Sequence, residues 1–279
     1  MKLLGRRKLV TESIQSSEPL FTPLFVGGPP RSGTTILHAL ICSSERTNNY
    51  IGECSYFTAL LQPLATGLNV FDAHTRYYFD SREELIAHHG EILDCELQRI
   101  WRRLGRPEVV ALKDPMLTQF FAITAQALPR ARFVLSARDP RATISSRMEV
   151  AQRQAGGNPI TEAKIAEFCD EYVRLYRSVL DNRQHFGDRL CIVNYKDLVE
   201  GSANRALEKF GCGRIVPERV STREDNPGAF AMDEWATDLL GTLPSTKSIN
   251  RFKAHLDSRT EELILNACGE VAVELGIFT

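Results

Sequence analysis

The chain has 279 residues, 43% hydrophobic and 25% charged, a balance that lets an ordinary globular protein bury a core without a metal or disulfide staple. Its 34 basic and 35 acidic side chains leave a net charge of −1, which excludes a whole-surface attraction to nucleic acid or to an anionic membrane. Seven scattered cysteines with no C-x-x-C pair imply reduced thiols, no stretch approaches the roughly 20 apolar residues that span a bilayer, and Met1 to Val10 lack the apolar run of a signal peptide, so a cytoplasmic location is expected.

In chain order, residues 1–20 are polar, carry Ser16-Ser17-Glu18-Pro19, and read as a flexible N-terminal arm. Leu24-Phe25-Val26-Gly27 is a short apolar run ended by glycine and proline, the pattern of a buried strand. Thr34 to Ser43 follows with Ile36, Leu37, Leu40 and Ile41 at helical spacing. Residues 60–105 read as a mostly helical insertion. A second strand is expected at Val109–Lys113, then a helix over Gln119–Leu128. Arg132–Ala137 is the third strand, with a helix from about Arg141 and a longer one from Thr161 to about His185. Leu190–Val193 is the fourth strand, and helical pattern returns at Ala203–Phe210 and Arg259–Glu274. Apolar strands alternating with helices predict one α/β domain over 21–279, with a parallel central sheet covered by helices on both faces.

The turn Gly27-Gly28-Pro29-Pro30-Arg31-Ser32-Gly33-Thr34-Thr35 joins the first strand to its helix. Glycine-opened backbone at a helix start presents N–H groups to an anion. Gly28 and Gly33 stand five apart, as in the nucleotide pattern G-x-x-x-x-G-K-[ST], but Thr34 occupies the lysine position and Arg31 lies inside the loop. A P-loop kinase needs that lysine and a Mg²⁺ on the transferred phosphoryl group. A sulfuryl group carries less charge and is transferable with fixed cationic side chains, so no metal is expected. The six histidines form no convincing metal-ligand spacing with cysteine or glutamate.

Pro30-Arg31-Ser32-Gly33-Thr34-Thr35 resembles the 5′-phosphosulfate loop, P-[KR]-S-G-T-[ST], of the sulfotransferases that use 3′-phosphoadenosine 5′-phosphosulfate (PAPS). The resemblance implies a P-loop-like fold, PAPS as co-substrate, Arg31 on the phosphosulfate and the backbone of Ser32, Gly33, Thr34 and Thr35 around it. Arg138, at the end of the third strand, is followed eight residues later by Ser146, the spacing of the family's 3′-phosphate motif. An arginine at a parallel strand's C-terminal end points into the crevice where such sheets bind ligands.

Sulfuryl transfer to a hydroxyl or amine needs a general base. Gly52-Glu53 resembles the Gly-Glu segment of the tyrosylprotein and bacterial subgroup, whose glutamate is the base; Leu112-Lys113-Asp114-Pro115 resembles its Lys-Asp-Pro segment, whose lysine steadies the sulfuryl oxygens. The cytosolic small-molecule enzymes use a K-x-H histidine here, but this chain has Pro115. Glu53 and Lys113 are therefore the expected catalytic pair, with Asp114 orienting Lys113 or capping the next helix and His38 in a core or supporting role. Asn194-Tyr195-Lys196-Asp197-Leu198 resembles the strand end whose tyrosine approaches the nucleotide. Ser245 to Lys253 resembles the closing loop S-x-x-[RK]-W, with Phe252 for the tryptophan, which offers Lys247, Ser248 and Arg251 as further contacts.

Two other readings stay open: a P-loop kinase acting on a nucleotide or small metabolite, and a silent module that binds the bisphosphate and transfers nothing. The acceptor, a small molecule or a conjugate, is not specified by these motifs, and neither is oligomeric state. The aromatic residues of 56–80 are either core or the lining of an acceptor pocket, core being favoured.

Overall fold

A computed structural model describes residues 21–222, 224–230 and 241–278; the arm expected at 1–20 lies outside them. Four strands, β1 (Thr22–Gly27), β2 (Val109–Lys113), β3 (Arg132–Ala137) and β4 (Leu190–Asn194), form a parallel sheet in the order β2-β1-β3-β4. The helices are α1 (Thr34–Ile41), α2 (Ser55–Asn69), α3 (Arg82–Arg103), α4 (Phe121–Ala127), α5 (Pro140–Gln154), α6 (Glu162–Leu180), α7 (Tyr195–Glu200), α8 (Asn204–Leu207) and α9 (Ser258–Glu274).

Alternate strand side chains go to opposite faces, so each strand feeds two cores. Phe25, Val110, Leu112 and Phe133 pack with residues of α2, α3, α4, α6 and α9. Leu24, Val26, Ala111 and Val134 pack on the other face with Leu37, Leu40 and Ile41 of α1 and Leu198 of α7. The parallel sheet is thus flanked by helices on both faces, and their starts are written in side chains. Ser81, Asp139, Thr161, Asn194 and Asp257 each accept a backbone N–H at the head of α3, α5, α6, α7 and α9 respectively. Pro140 occupies the first turn of α5, where its missing N–H costs no hydrogen bond.

Two helices differ from the spacing read along the chain. The segment after β2 begins as a 3-10 stretch over Pro115–Phe120, capped by Asp114, and becomes α-helical only at Phe121. The helix expected at Ala203–Phe210 is α8 followed by a wider turn over Glu208–Cys212, where Gly211 takes φ 98°. Residues 60–105 hold most of α2, a 3-10 turn and α3. The aromatic residues of 56–80 divide: Phe57 and Phe71 are core, whereas Tyr56, Tyr77 and Tyr78 are 64%, 75% and 70% exposed.

Strand β2 ends the sheet, yet its outer edge is closed by the segment that follows α1. The Ala111 N–H donates to Asn48 Oδ1 (2.7 Å), and Asn48 Nδ2 donates to the Ala111 carbonyl (3.2 Å). His38 Nε2 of α1 donates to that same carbonyl (3.1 Å), and Val109 N donates to the Arg46 carbonyl (2.9 Å). No described helix is long and apolar enough to cross a membrane.

Candidate active site

The chain crosses β1 in passing from β2 to β3, so the loop after β1 sits where the sheet's connections diverge, the usual ligand crevice of such sheets. Gly28 takes φ 136° and Gly33 φ 101°, backbone that L side chains resist. A methyl group at Gly28 would meet Ser32 Oγ at 2.6 Å, and one at Gly33 would strike the Tyr195 ring. Arg31 itself stands at φ 71°, a left-handed conformation for a bulky residue at the centre of the loop. Two bonds fix this shape: Gly28 N donates to Thr118 Oγ1 (2.7 Å), and Ser136 Oγ donates to the Ser32 carbonyl (2.8 Å).

The amides are less uniform than the motif suggests. Ser32 N–H donates to the Pro29 carbonyl (3.0 Å) and is already used in the turn. The first helical bond runs from Leu37 N to the Gly33 carbonyl (3.0 Å), so the Thr34, Thr35 and Ile36 amides are the open donors of the α1 start. Thr34 and Thr35 line the cleft beside it, together with Gly33 and Arg31.

On the β3 side the predicted residues converge. Arg31 Nε donates to Ser146 Oγ (3.2 Å), joining the two motifs across 115 positions of sequence. Arg138 Nη1 donates to the Arg31 carbonyl (2.8 Å) and Nη2 to the Ser248 carbonyl (3.0 Å), while its guanidinium lies 4.1 Å from the Tyr195 ring centroid. Tyr195 and Ser248 share a hydroxyl bond of 2.7 Å. Arg251 Nη2 donates to Glu149 Oε1 (2.9 Å). All of these residues line one cleft; Lys247 is exposed and does not. Burial and the neighbouring Arg138 lower the Arg31 pKa to about 10, and burial lowers that of Arg138.

Sequence reasoning missed the supports of this cleft. Tyr172 and Tyr176 of α6 donate their hydroxyls to the carbonyls of Arg138 (2.8 Å) and Ser136 (2.7 Å). Both rings are fully buried, and burial raises both phenol pKa values. Glu149 was missed as well, although it stands three residues beyond Ser146 on α5 and so on the same helix face.

On the β2 side, Lys113 and Glu53 meet: Lys113 Nζ donates to Glu53 Oε1 at 2.8 Å. The lysine is 3% exposed and the Glu53 side chain 29% exposed, so a buried cation is answered by a carboxylate that reaches solvent. The chain fixes the pair locally, since Cys54 N donates to the Lys113 carbonyl (2.9 Å). Neither residue lines the cleft on the β3 side. Asp114 accepts from Thr58 Oγ1 (2.8 Å) and Met116 N (2.9 Å), which makes it a cap, and burial raises its pKa. Burial lowers the His38 pKa to about 3, leaving a neutral donor to Ala111. Among the described residues no group of three or more His, Cys, Asp or Glu side chains could hold a metal ion.

A profile described as "Sulfotransferase family" matches residues 23–211. The chain is 23% identical to "Protein-tyrosine sulfotransferase 1" of Danio rerio over 63% of its length and 48% of that protein's. It spans about half the length of the curated relatives it matches. Among solved structures, the sulfotransferase domain of the Synechococcus PCC 7002 olefin synthase superposes with a TM-score of 0.56 at 14% identity, covering 88% of this chain and 94% of that one. The sulfotransferase domain from the curacin biosynthetic pathway gives a TM-score of 0.51 at 13% identity, covering 90% and 97%. These likenesses extend to the fold.

Proposed function

The chain belongs to the sulfotransferase family, and we propose that it transfers a sulfuryl group from PAPS to a hydroxyl or amine acceptor. The observation that carries the reading is the linkage of two separate anion motifs in one cleft: Arg31 reaches Ser146, and Arg138 bonds back to the Arg31 carbonyl. A donor with a phosphosulfate at one end and a 3′-phosphate at the other fits such a pair. Arg31 with the Thr34 and Thr35 amides would hold the 5′ end; Arg138, Ser146, Ser248 and Arg251 would hold the 3′ end, with Tyr195 and Gly33 between them. Lys247 is exposed outside the cleft, so its assignment as a contact has the least support.

On the β2 side, Glu53 is the proposed base and Lys113 the proposed stabiliser. The acceptor oxygen or nitrogen attacks sulfur, its proton passes to the Glu53 carboxylate, and the S–O bond to 3′-phosphoadenosine 5′-phosphate (PAP) breaks. The burial of the Lys113 ammonium beside Glu53 supports its role as a fixed, dehydrated cation that would meet negative charge on the sulfuryl oxygens. Asp114 is a poor rival as base because both its oxygens already accept hydrogen bonds.

We take residues 21–279 as one sulfotransferase domain, with a small molecule or a conjugate as acceptor. The seven free cysteines support a reducing compartment such as the cytoplasm. Calorimetric titration of the full chain with PAP and separately with Mg-ATP tests the donor. Heat on PAP addition is the expected result; tight Mg-ATP binding without a response to PAP would overturn it in favour of a kinase.

A further inference from the structure

Among the described residues that line the cleft, Glu149 is the one carboxylate, and it stands among arginines. A site built for a polyanion gains nothing obvious from a fixed negative charge. Yet Glu149 is not incidental to the cleft: its Oε1 accepts from Arg251 Nη2 at 2.9 Å, and it lies one turn beyond Ser146 on α5. Its charge also reaches Arg31, where it opposes part of the pKa depression caused by burial and by Arg138.

The same carboxylate has opposite value in the two states of the cleft. Without ligand, several guanidinium groups face one another across a partly desolvated space, and an internal anion relieves that repulsion. With a bisphosphate bound, the ligand brings more negative charge than the carboxylate supplies. Glu149 then repels it and retains a claim on Arg251. The pair can open for a ligand, because the Arg251 and Glu149 side chains are 33% and 31% exposed and solvent can cover either partner. A group that stabilises the empty site and destabilises the full one lowers affinity and hastens release.

We propose that Glu149 is a built-in counter-anion that competes with the ligand's phosphate for Arg251, weakening the grip on the bisphosphate product and speeding its departure. The proposal rests on the donor reading above for the identity of that product. The Glu149–Arg251 competition itself requires only a phosphate-bearing ligand.

The test compares the full-length chain with Glu149→Gln, which keeps shape and removes charge. PAP should bind about fivefold tighter or more, the gain appearing as a slower dissociation rate in stopped-flow displacement. The ligand-free variant should melt at a lower temperature than wild type, since the empty cleft has lost its counter-anion. In an Arg251→Ala background the same change should give a clearly smaller gain in PAP affinity, because the contested group is gone and only the direct repulsion of the ligand is relieved; an undiminished gain would overturn the competition for Arg251. Unchanged or weaker PAP binding by Glu149→Gln would overturn the proposal, placing Glu149 as a support or a direct ligand contact instead. If wild type takes no PAP at all, the donor reading fails, and the comparison passes to inorganic phosphate. Tighter phosphate binding by Glu149→Gln then upholds the competition, and no change refutes it.

Discussion

The two sides of the loop after β1 treat positive charge in opposite ways. On the β3 side, the hydrogen bonds of Arg138 run to two carbonyl oxygens, those of Arg31 and Ser248, so it is held in place without being neutralised. On the β2 side, Lys113 is buried against a carboxylate and its charge is matched within the protein. A cation oriented by neutral dipoles keeps its field for an incoming anion, which suits binding. A cation paired with a carboxylate keeps both groups ready at one point, which suits a step in which a proton moves one way and charge develops on the other. Glu149 complicates the contrast, since it brings a carboxylate to the β3 side, where it accepts from Arg251.

Substitutions can break this contrast, and the largest effect belongs to the β2 side. Glu53→Gln should reduce turnover by a factor of about 10² to 10⁴ while leaving PAP affinity near wild type, checked by labelled-PAPS assays beside calorimetry. Near-normal turnover would move the base elsewhere. Next is Arg138→Ala, expected to weaken PAP binding by about tenfold to a hundredfold, because a charged hydrogen-bonding group is lost from the cleft. Equal losses for PAP and adenosine 5′-phosphate would show that Arg138 does not read the 3′-phosphate.

A smaller change sharpens the same side. Tyr172→Phe removes only the hydroxyl that holds the Arg138 carbonyl. The expected cost is a few-fold in PAP affinity, with a reduced preference for PAP over adenosine 5′-phosphate. A drop in melting temperature without any change in that preference would make the hydroxyl purely structural. The mildest effect at neutral pH should come from His38, beneath the β2 side. Burial holds its pKa near 3 against an ordinary value of 6.5, so the unfolded chain takes up a proton that the folded chain refuses. Stability should therefore fall as pH drops below about 6.5 and continue falling toward 3. In His38→Gln this part of the acid limb should flatten, measured by urea unfolding at a series of pH values.

Local signals carried the strands well. The runs at Val109–Lys113 and Arg132–Ala137 are observed with those same bounds, because a strand buried on both faces is a contiguous apolar segment. The loop and Arg138 were legible because glycine spacing and a strand-end arginine are constraints between near neighbours. What the sequence hid depends on long-range pairing. Tyr172 and Tyr176 look like an apolar face until their hydroxyls are seen to reach carbonyls 34 and 40 positions away. The helical spacing from Ser146 could have put Glu149 on the cleft face, but its pairing was hidden, since its partner Arg251 lies 102 positions further on. The turn at Pro115–Phe120 departed from regular helix because Asp114 and Pro115 begin it as a capped 3-10 stretch.

The Asn48 amide on Ala111 has a consequence outside the chemistry. An outermost strand offers bare N–H and C=O groups on which another chain can build a continued sheet, and many proteins carry a charge or a proline there to prevent it. Here a side-chain amide takes the place of the absent neighbour, donating and accepting as a strand would, while at Val109 the Arg46 backbone carbonyl accepts the outward N–H. The short outermost strand is thereby closed to recruitment by a second copy of itself, and Asn48 becomes a guard against edge-to-edge aggregation.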